Sequence, residues 1–358
     1  MRRWVLFLAV LPSLVLASIS DVEVPSGFVI EEYADVPKAR SLALGDQGTL
    51  FVSTRKGRSV YAVVENADGS TRTIELLGGM STPNGIAFHD GDLFVAEIDR
   101  VLRYADIEAN LDAVPAAEVL DVDLPSDRHH GWRYIGFGPD DKLYISIGAP
   151  CNVCEKFGYG QIIRMNADGS GRETFASGIR NSVGFTWHPT TDELWFTDNG
   201  RDMMGDDIPP CELNRAPRAG LHFGFPYCHG GDILDPRFGE GRKCEEYTPP
   251  AQELGPHVAP LGVKFYTGDM FPPEYRNQVF IAEHGSWNRS KKIGYRVTLV
   301  RLEGNRAVSY EPFAFGWLQG QSVAGRPVDL IVKEDGSLLV SDDLAGKIYR
   351  ISYTGKSK

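Results

Sequence analysis

The chain has 358 residues, with 37 Lys and Arg against 48 Asp and Glu, a formal charge of −11. That balance excludes nucleic acid and anionic membrane surfaces as main partners, because both repel an acidic surface. The length is large for one simple core, and 39 Gly with 22 Pro suit many short strands joined by turns rather than helices.

Residues 1–20 read as a signal peptide. Arg2 and Arg3 form a basic start, Trp4 to Leu16 an apolar run, and Val15-Leu16-Ala17 a small-residue cleavage site. The run is too short for a comfortable membrane span, and no later segment is apolar enough to cross a bilayer. The expectation is export to the periplasm or medium, with no stable membrane insertion of the mature chain. Residues 21–358 are expected to form a single domain.

From Arg40 onward one pattern recurs: a strand, a turn with Asp or Gly, and a second strand ending near an acidic or polar residue, with another strand to follow. It begins at Arg40 and returns at Asn84, at Tyr134, at Asn181, in degenerate form at Leu261, and at Arg326. The clearest copy is Tyr134 to Ile147, a hairpin turning on Gly138-Pro139-Asp140-Asp141. Six units at a period of roughly 45 to 60 residues predict an all-β fold, a six-bladed β-propeller with four-stranded antiparallel blades. Phe28-Val29-Ile30 is the candidate N-terminal strand that completes a blade and closes the ring. A long irregular loop at 200–256 interrupts the series and is expected to wall the channel mouth.

Five cysteines stand at 151, 154, 211, 228 and 244. In an exported chain they read first as disulfides. Cys151 and Cys154 suggest a local bridge, with free thiols or a metal as alternatives, and Cys228 with Cys244 a second. Cys211 is left over. Cys154 is followed by Glu155, so no haem-attachment motif is present.

Aligning the units on their turns gives candidate site residues. His130 and Arg180 share a register, Gly131 matches Asn181, and Arg326 falls opposite Gly131. Blade symmetry aims these positions at one end of one channel. A proton acceptor beside two guanidiniums suits an anionic ligand in proton-coupled chemistry. His129 is expected to point away from His130 and pack structurally. Trp132, Tyr134, Trp195 and Phe225 read as core, and His89, His188 and His222 as surface residues. Glu97, Asp198, Glu283 and Asp342 end second strands, either as a cation-binding ring or as caps for the turns. Asn199 to Asp202, Asp206, Asp207 and Glu212 offer clustered oxygens of the kind Ca²⁺ takes.

His130 to Gly148, Gly178 to Gly184, Thr197 to Gly200 with Glu212-Leu-Asn, Phe223 to Pro226, and Glu283 to Asn288 resemble the soluble pyrroloquinoline quinone-dependent sugar dehydrogenases, closest to the sorbosone dehydrogenase-like branch. The resemblance covers essentially the whole mature chain. It implies a quinone flat over the channel mouth with Ca²⁺ bound to it, and oxidation of aldose sugars or sorbosone-type aldehydes. His130 would be the general base, with Arg180 and Asn181 on the quinone oxygens and Arg326 facing the cofactor carboxylates. Lys292 looks like the family's cofactor lysine, with Arg289 the fallback, and Asn199 belongs to the cofactor motif. The carbonyls of Gly200 and Arg201 would bind the cofactor calcium, and Glu212 a second, structural one. The chain departs from the glucose-oxidising members in placing His129 and Ala149 where they carry Asp, and Arg201 where they carry Pro. No clear counterpart of their blade-two glutamine falls near Met80 to Asn84.

Two other activities fit the same architecture: a Ca²⁺-dependent, gluconolactonase-like lactonase using Glu97, Asn181 and Asp198, and a non-catalytic binding propeller. The sequence identifies neither the sugar nor the electron acceptor.

Overall fold

Each Asp- or Gly-containing turn reverses a pair of short strands, and five of the six pairs grow into four-stranded antiparallel sheets; the third blade adds to its four a short fifth strand, Leu221–His222, parallel to its outer one. The computed structural model describes residues 19–356, so the signal-peptide reading lies outside the described residues in all but its last two positions. Blade one comprises Leu42–Leu44, Leu50–Ser53, Val60–Glu65 and Thr71–Leu77. Blade two comprises Gly85–His89, Asp92–Ala96, Val101–Tyr104 and Glu118–Val119. Blade three comprises Ile135–Phe137, Leu143–Ile147, Gln161–Met165 and Glu173–Ser177. Blade four has Phe185–Trp187, Leu194–Asp198 and Cys211–Ala216, and takes its outer strand, Gln252–Leu254, from the end of the long insert. Blade five comprises Pro260–Phe265, Val279–Glu283, Arg296–Glu303 and Arg306–Ala314.

Blade six closes the ring. Pro327–Val332, Leu338–Asp342 and Lys347–Lys356 come from the C-terminal end, and Gly27–Asp35 adds the outer strand. The two terminal strands run antiparallel, with Ile30 opposite Ile351 and Glu31 opposite Arg350.

A blade is apolar on both faces, so it cannot be buried alone. The second strands of blades three to six are buried at every position. Their side chains alternate between the two neighbouring blades. Ile145 and Leu143 pack toward Phe94 and Ala96 of blade two, while Tyr144 packs toward Phe185 and Phe196 of blade four. The core is thus a ring of inter-blade layers, with a small cluster of Val183, Leu261 and Val328 at the axis.

Three surface expectations change; His222 is partly covered, with Tyr247 at 4.9 Å and the Gly224 N–H donating to its Nδ1 at 3.1 Å. His188 is buried: its ring meets Phe265 of blade five at 4.9 Å and its Nδ1 accepts the Thr190 N–H at 3.2 Å. A turn between stacked blades faces a neighbour rather than water. His89 is also partly covered, stacked on Phe137 at 4.0 Å.

Cys151 bridges Cys154, Cys228 bridges Cys244, and Cys211 is free and buried. Among the described residues no helix is long and apolar enough to cross a membrane.

Candidate active site

The first strand of each blade lines the axis, so residues just before those strands meet at one end of it. There they enclose a pocket of about 360 Å³. His130, Arg180, Asn181 and Arg326 all line it, together with Asn199 and Gly200. The four come from blades three, four and six.

Asp198 and Asp342 end the second strands of blades four and six and do the same job in each. Asp198 accepts the backbone N–H groups of Arg180 at 2.8 Å and Asn181 at 2.6 Å; Asp342 accepts that of Arg326 at 2.9 Å. Each carboxylate pins the backbone from which an arginine reaches into the pocket. Glu97 and Glu283 are used differently: Glu97 accepts the Ser81 N–H and pairs with Arg100, and Glu283 pairs with Arg296. The four carboxylates therefore serve local partners.

His130 has φ +50°, the left-handed region that few residues other than Gly enter. Its Nδ1 lies 2.8 Å from the Ala149 carbonyl oxygen. A carbonyl can only accept, so Nδ1 carries the proton and Nε2 holds a lone pair. Nε2 has no hydrogen-bond partner among the described residues. The orienting task that a carboxylate could perform is thus done by a backbone carbonyl. Burial, then Arg180 and His129, push the His130 pKa down to about 2.

The left-handed turn also overrides strand alternation. His129 does not point away from its neighbour: both imidazoles line the pocket, 4.1 Å apart between ring centres. Trp132, read as core, lines it too and carries the Arg55 guanidinium over its ring at 4.4 Å. Tyr134, Trp195 and Phe225 are buried.

Arg180 is almost fully committed to protein partners. Nε donates to Asn152 O at 2.9 Å and Nη1 to Asn199 O at 3.2 Å. Nη2 donates to Asn152 Oδ1 and Asp202 Oδ2, each at 2.9 Å. One Nη1 hydrogen remains for a ligand. Asn181 offers its side-chain amide without a partner among the described residues. Arg326 donates to the carbonyls of His284 and Gly285, each at 2.9 Å.

Sequence reasoning missed a second cationic wall. Arg40 and Arg55 of blade one line the pocket beside Arg326. Arg40 pairs with Asp343 at 3.0 Å. Arg55 makes no hydrogen bond or ion pair among the described residues, and burial lowers its pKa to about 10. His284 lines the same wall, with Nε2 2.8 Å from Asp343 Oδ1. A partly buried guanidinium with no directly paired carboxylate favours an arriving anion. The pocket therefore fits a planar polycarboxylate such as pyrroloquinoline quinone.

Lys292 is not among the lining residues; its Nζ donates to Gln321 O at 2.6 Å. Arg289 binds the carbonyl of Asp206 and Asp207 Oδ1. Arg201 points its guanidinium at Asp235, away from the pocket lining.

Glu212 lies behind the pocket, directly opposite Asp198 on the adjacent strand. Oε1 accepts the Gly230 N–H at 2.8 Å and Oε2 accepts Asn214 Nδ2 at 3.0 Å. Burial, then Asp198, raise its pKa to about 7; burial raises Asp198 to about 6. Asn214 Oδ1 is buried and unpartnered among the described residues. Among the described residues no three His, Cys, Asp or Glu side chains cluster to hold a metal, so a Ca²⁺ beside Glu212 would draw on neutral oxygens such as Asn214 Oδ1 as well. With chelator present, the Glu212 proton is harder to lose in the folded state. Its contribution to stability is therefore full below pH 4.5 and falls as pH rises to about 7. The difference between thermal melts of wild type and Glu212→Gln across that range should show this slope, and added Ca²⁺ should flatten it.

The ring thus carries an imidazole and an arginine-walled pocket at one end of its axis. The comparisons are specific. Residues 97–350 match the family model described as Glucose / Sorbosone dehydrogenase, so the chain belongs to that family. An uncharacterized protein of Borreliella burgdorferi is 34% identical over 360 residues, covering 93% of this chain and 91% of that protein. A pyrroloquinoline quinone-dependent pyranose dehydrogenase of Coprinopsis cinerea is 30% identical over 122 residues, 28% of this chain and 16% of that protein. Among solved structures, the Trichoderma reesei carbohydrate-active enzyme of family AA12 superposes with TM-score 0.81 at 19% identity, covering 93% of this chain and 97% of that one. The PQQ domain of the Coprinopsis cinerea pyranose dehydrogenase superposes with TM-score 0.77 at 21% identity, covering 92% and 97%. These two likenesses carry the fold.

Proposed function

We propose that the protein is a quinoprotein sugar dehydrogenase that oxidises an aldose or a sorbosone-type aldehyde, using pyrroloquinoline quinone and Ca²⁺. The observation that carries this is the pocket's pairing of an imidazole fixed as a proton acceptor with a partnerless guanidinium at Arg55. When bound, the quinone supplies a two-electron hydride acceptor. The chain supplies the rest. Nε2 of His130 takes the proton of the sugar's anomeric hydroxyl. The free Nη1 hydrogen of Arg180 and the amide of Asn181 are donors for oxygen atoms on which negative charge grows. Arg326, Arg40 and Arg55 hold carboxylates. The carbonyls of Gly200 and Arg201 are the candidate ligands of the cofactor calcium, and Glu212 of a structural one.

An exported location suits the two disulfides. The electron acceptor is a separate, unidentified molecule. The test is reconstitution of purified protein with pyrroloquinoline quinone and Ca²⁺, followed by dye reduction with a panel of aldoses. Turnover that needs both additions is the expected result. Lactone hydrolysis with metal alone, or no cofactor binding, overturns the reading.

A further inference from the structure

The proton acceptor at His130 has a counterpart that the reaction above leaves unused. His284 follows the second strand of blade five and lines the pocket beside the blade-one and blade-six arginines. Asp343 holds it: Oδ1 lies 2.8 Å from His284 Nε2, while Oδ2 takes Arg40 Nη1 at 3.0 Å. A carboxylate can only accept here, so Nε2 carries a hydrogen in either charge state. Nδ1 has no hydrogen-bond partner among the described residues. The difference from His130 is the partner: an anion at Asp343 against a neutral carbonyl at Ala149.

We propose that His284, backed by Asp343, is an anion-binding residue of the pocket that gains a proton as a polycarboxylate seats against Arg40, Arg55 and Arg326. In the bare pocket Asp343 pairs directly with Arg40 and acts at longer range on Arg55 and Arg326, with Asp342 adding to its pull on Arg326. Burial, with Arg326 and Arg40 acting in the same direction and Asp343 opposing, lowers His284 to about 4. The imidazole is then neutral, with its remaining lone pair on Nδ1, the nitrogen that Asp343 does not hold. An arriving carboxylate cancels the repulsion from the guanidiniums and adds its own attraction. Both effects favour the imidazolium, whose Nδ1–H becomes a fourth charged donor for the anion. Asp343 stays ionised throughout: burial opposes its charge, but His284 and Arg40 hold its pKa far below the usual carboxylate range. The remaining histidines of the pocket stand elsewhere. His129 lies against His130, and His257 bonds the Gly205 carbonyl at 2.7 Å.

The inference rests on the functional reading above only for the anion's identity. Its test is calorimetric titration of the full-length mature protein near pH 6, a little below histidine's ordinary pKa of about 6.5. Two buffers of different ionisation enthalpy are used, with pyrroloquinoline quinone as one probe and benzene-1,2,4-tricarboxylate as the other. The wild-type protein should take up a measurable fraction of a proton per anion. Its affinity should weaken as pH rises, by up to roughly tenfold per unit while uptake is complete. His284→Gln and His284→Asn should bind without uptake and lose the extra pH dependence, whereas His89→Gln, outside the pocket, should keep both. Binding by the wild type with no proton exchanged overturns the inference and leaves the functional reading standing. Uptake that survives in both His284 variants, or vanishes in His89→Gln, also overturns it. If the tricarboxylate binds with uptake and the quinone does not bind, the functional reading fails alone. If neither probe binds, both fail.

Discussion

His130→Asn should abolish sugar-dependent dye reduction, with kcat lower by about 10²- to 10⁴-fold, while quinone affinity stays close to wild type. Asn is preferred to Ala for this test because His130 sits at φ +50°, a conformation Asn adopts more readily. The fold and the pocket wall are then retained, and the change is confined to the proton acceptor. The Ala149 carbonyl orients the His130 ring at 2.8 Å without adding charge, so the imidazole stays neutral far into acid. With its pKa at about 2 in the bare pocket, the imidazole is neutral throughout the ordinary working range before any anion binds. An anion bound near Arg180 offsets the charge that depresses His130 and makes it a better base than in the empty pocket. Turnover retained by His130→Asn would remove the residue from this role.

Arg180→Met should be the most disruptive single change at the site. The guanidinium joins three segments: Asn152 in the disulfide loop, Asn199 after the blade-four strand, and Asp202 at the start of the long insert. Arg180 is 4% exposed, so the partners it leaves behind stay mostly covered. Removing one member of a buried ion pair costs about 3–5 kcal/mol, because the carboxylate remains without its charge partner. Chemical denaturation should show a loss of that size, and quinone binding should fail with it. Arg180→Lys keeps the charge but cannot reproduce the fork that bonds Asn152 and Asp202 together, so it should recover only part of the stability. A variant as stable as wild type would mean these contacts contribute little.

The propeller was legible because its signal is periodic. Gly138-Pro139-Asp140-Asp141 and its counterparts fix a turn in each unit, and the apolar runs around them fix the strands. Counting registers from those turns also drew attention to His130, Arg180, Asn181 and Arg326, which the ring places around one pocket. What escaped has no residue-type signature. The Ala149 carbonyl is a backbone group, and any residue could supply it. The left-handed turn at His130, which swings His129 into the pocket, needs a positive φ that nothing in His-His announces. Arg40 opens the first unit but lies outside the registers counted from the other turns, and Arg55 and His284 follow second strands, a position those registers do not cover. Trp132 looks like core until its neighbour Arg55 is seen lying over it.

The strand that completes blade six is Gly27–Asp35, and its partner, Lys347–Lys356, is the last strand of the described chain. Two strands from distant stretches of sequence must therefore find each other before the circle exists. Until they pair, blade six lacks its outer strand and the ring stays an open arc. Deleting Gly27–Asp35 should cost far more than the lost contacts suggest, because it reopens the whole ring.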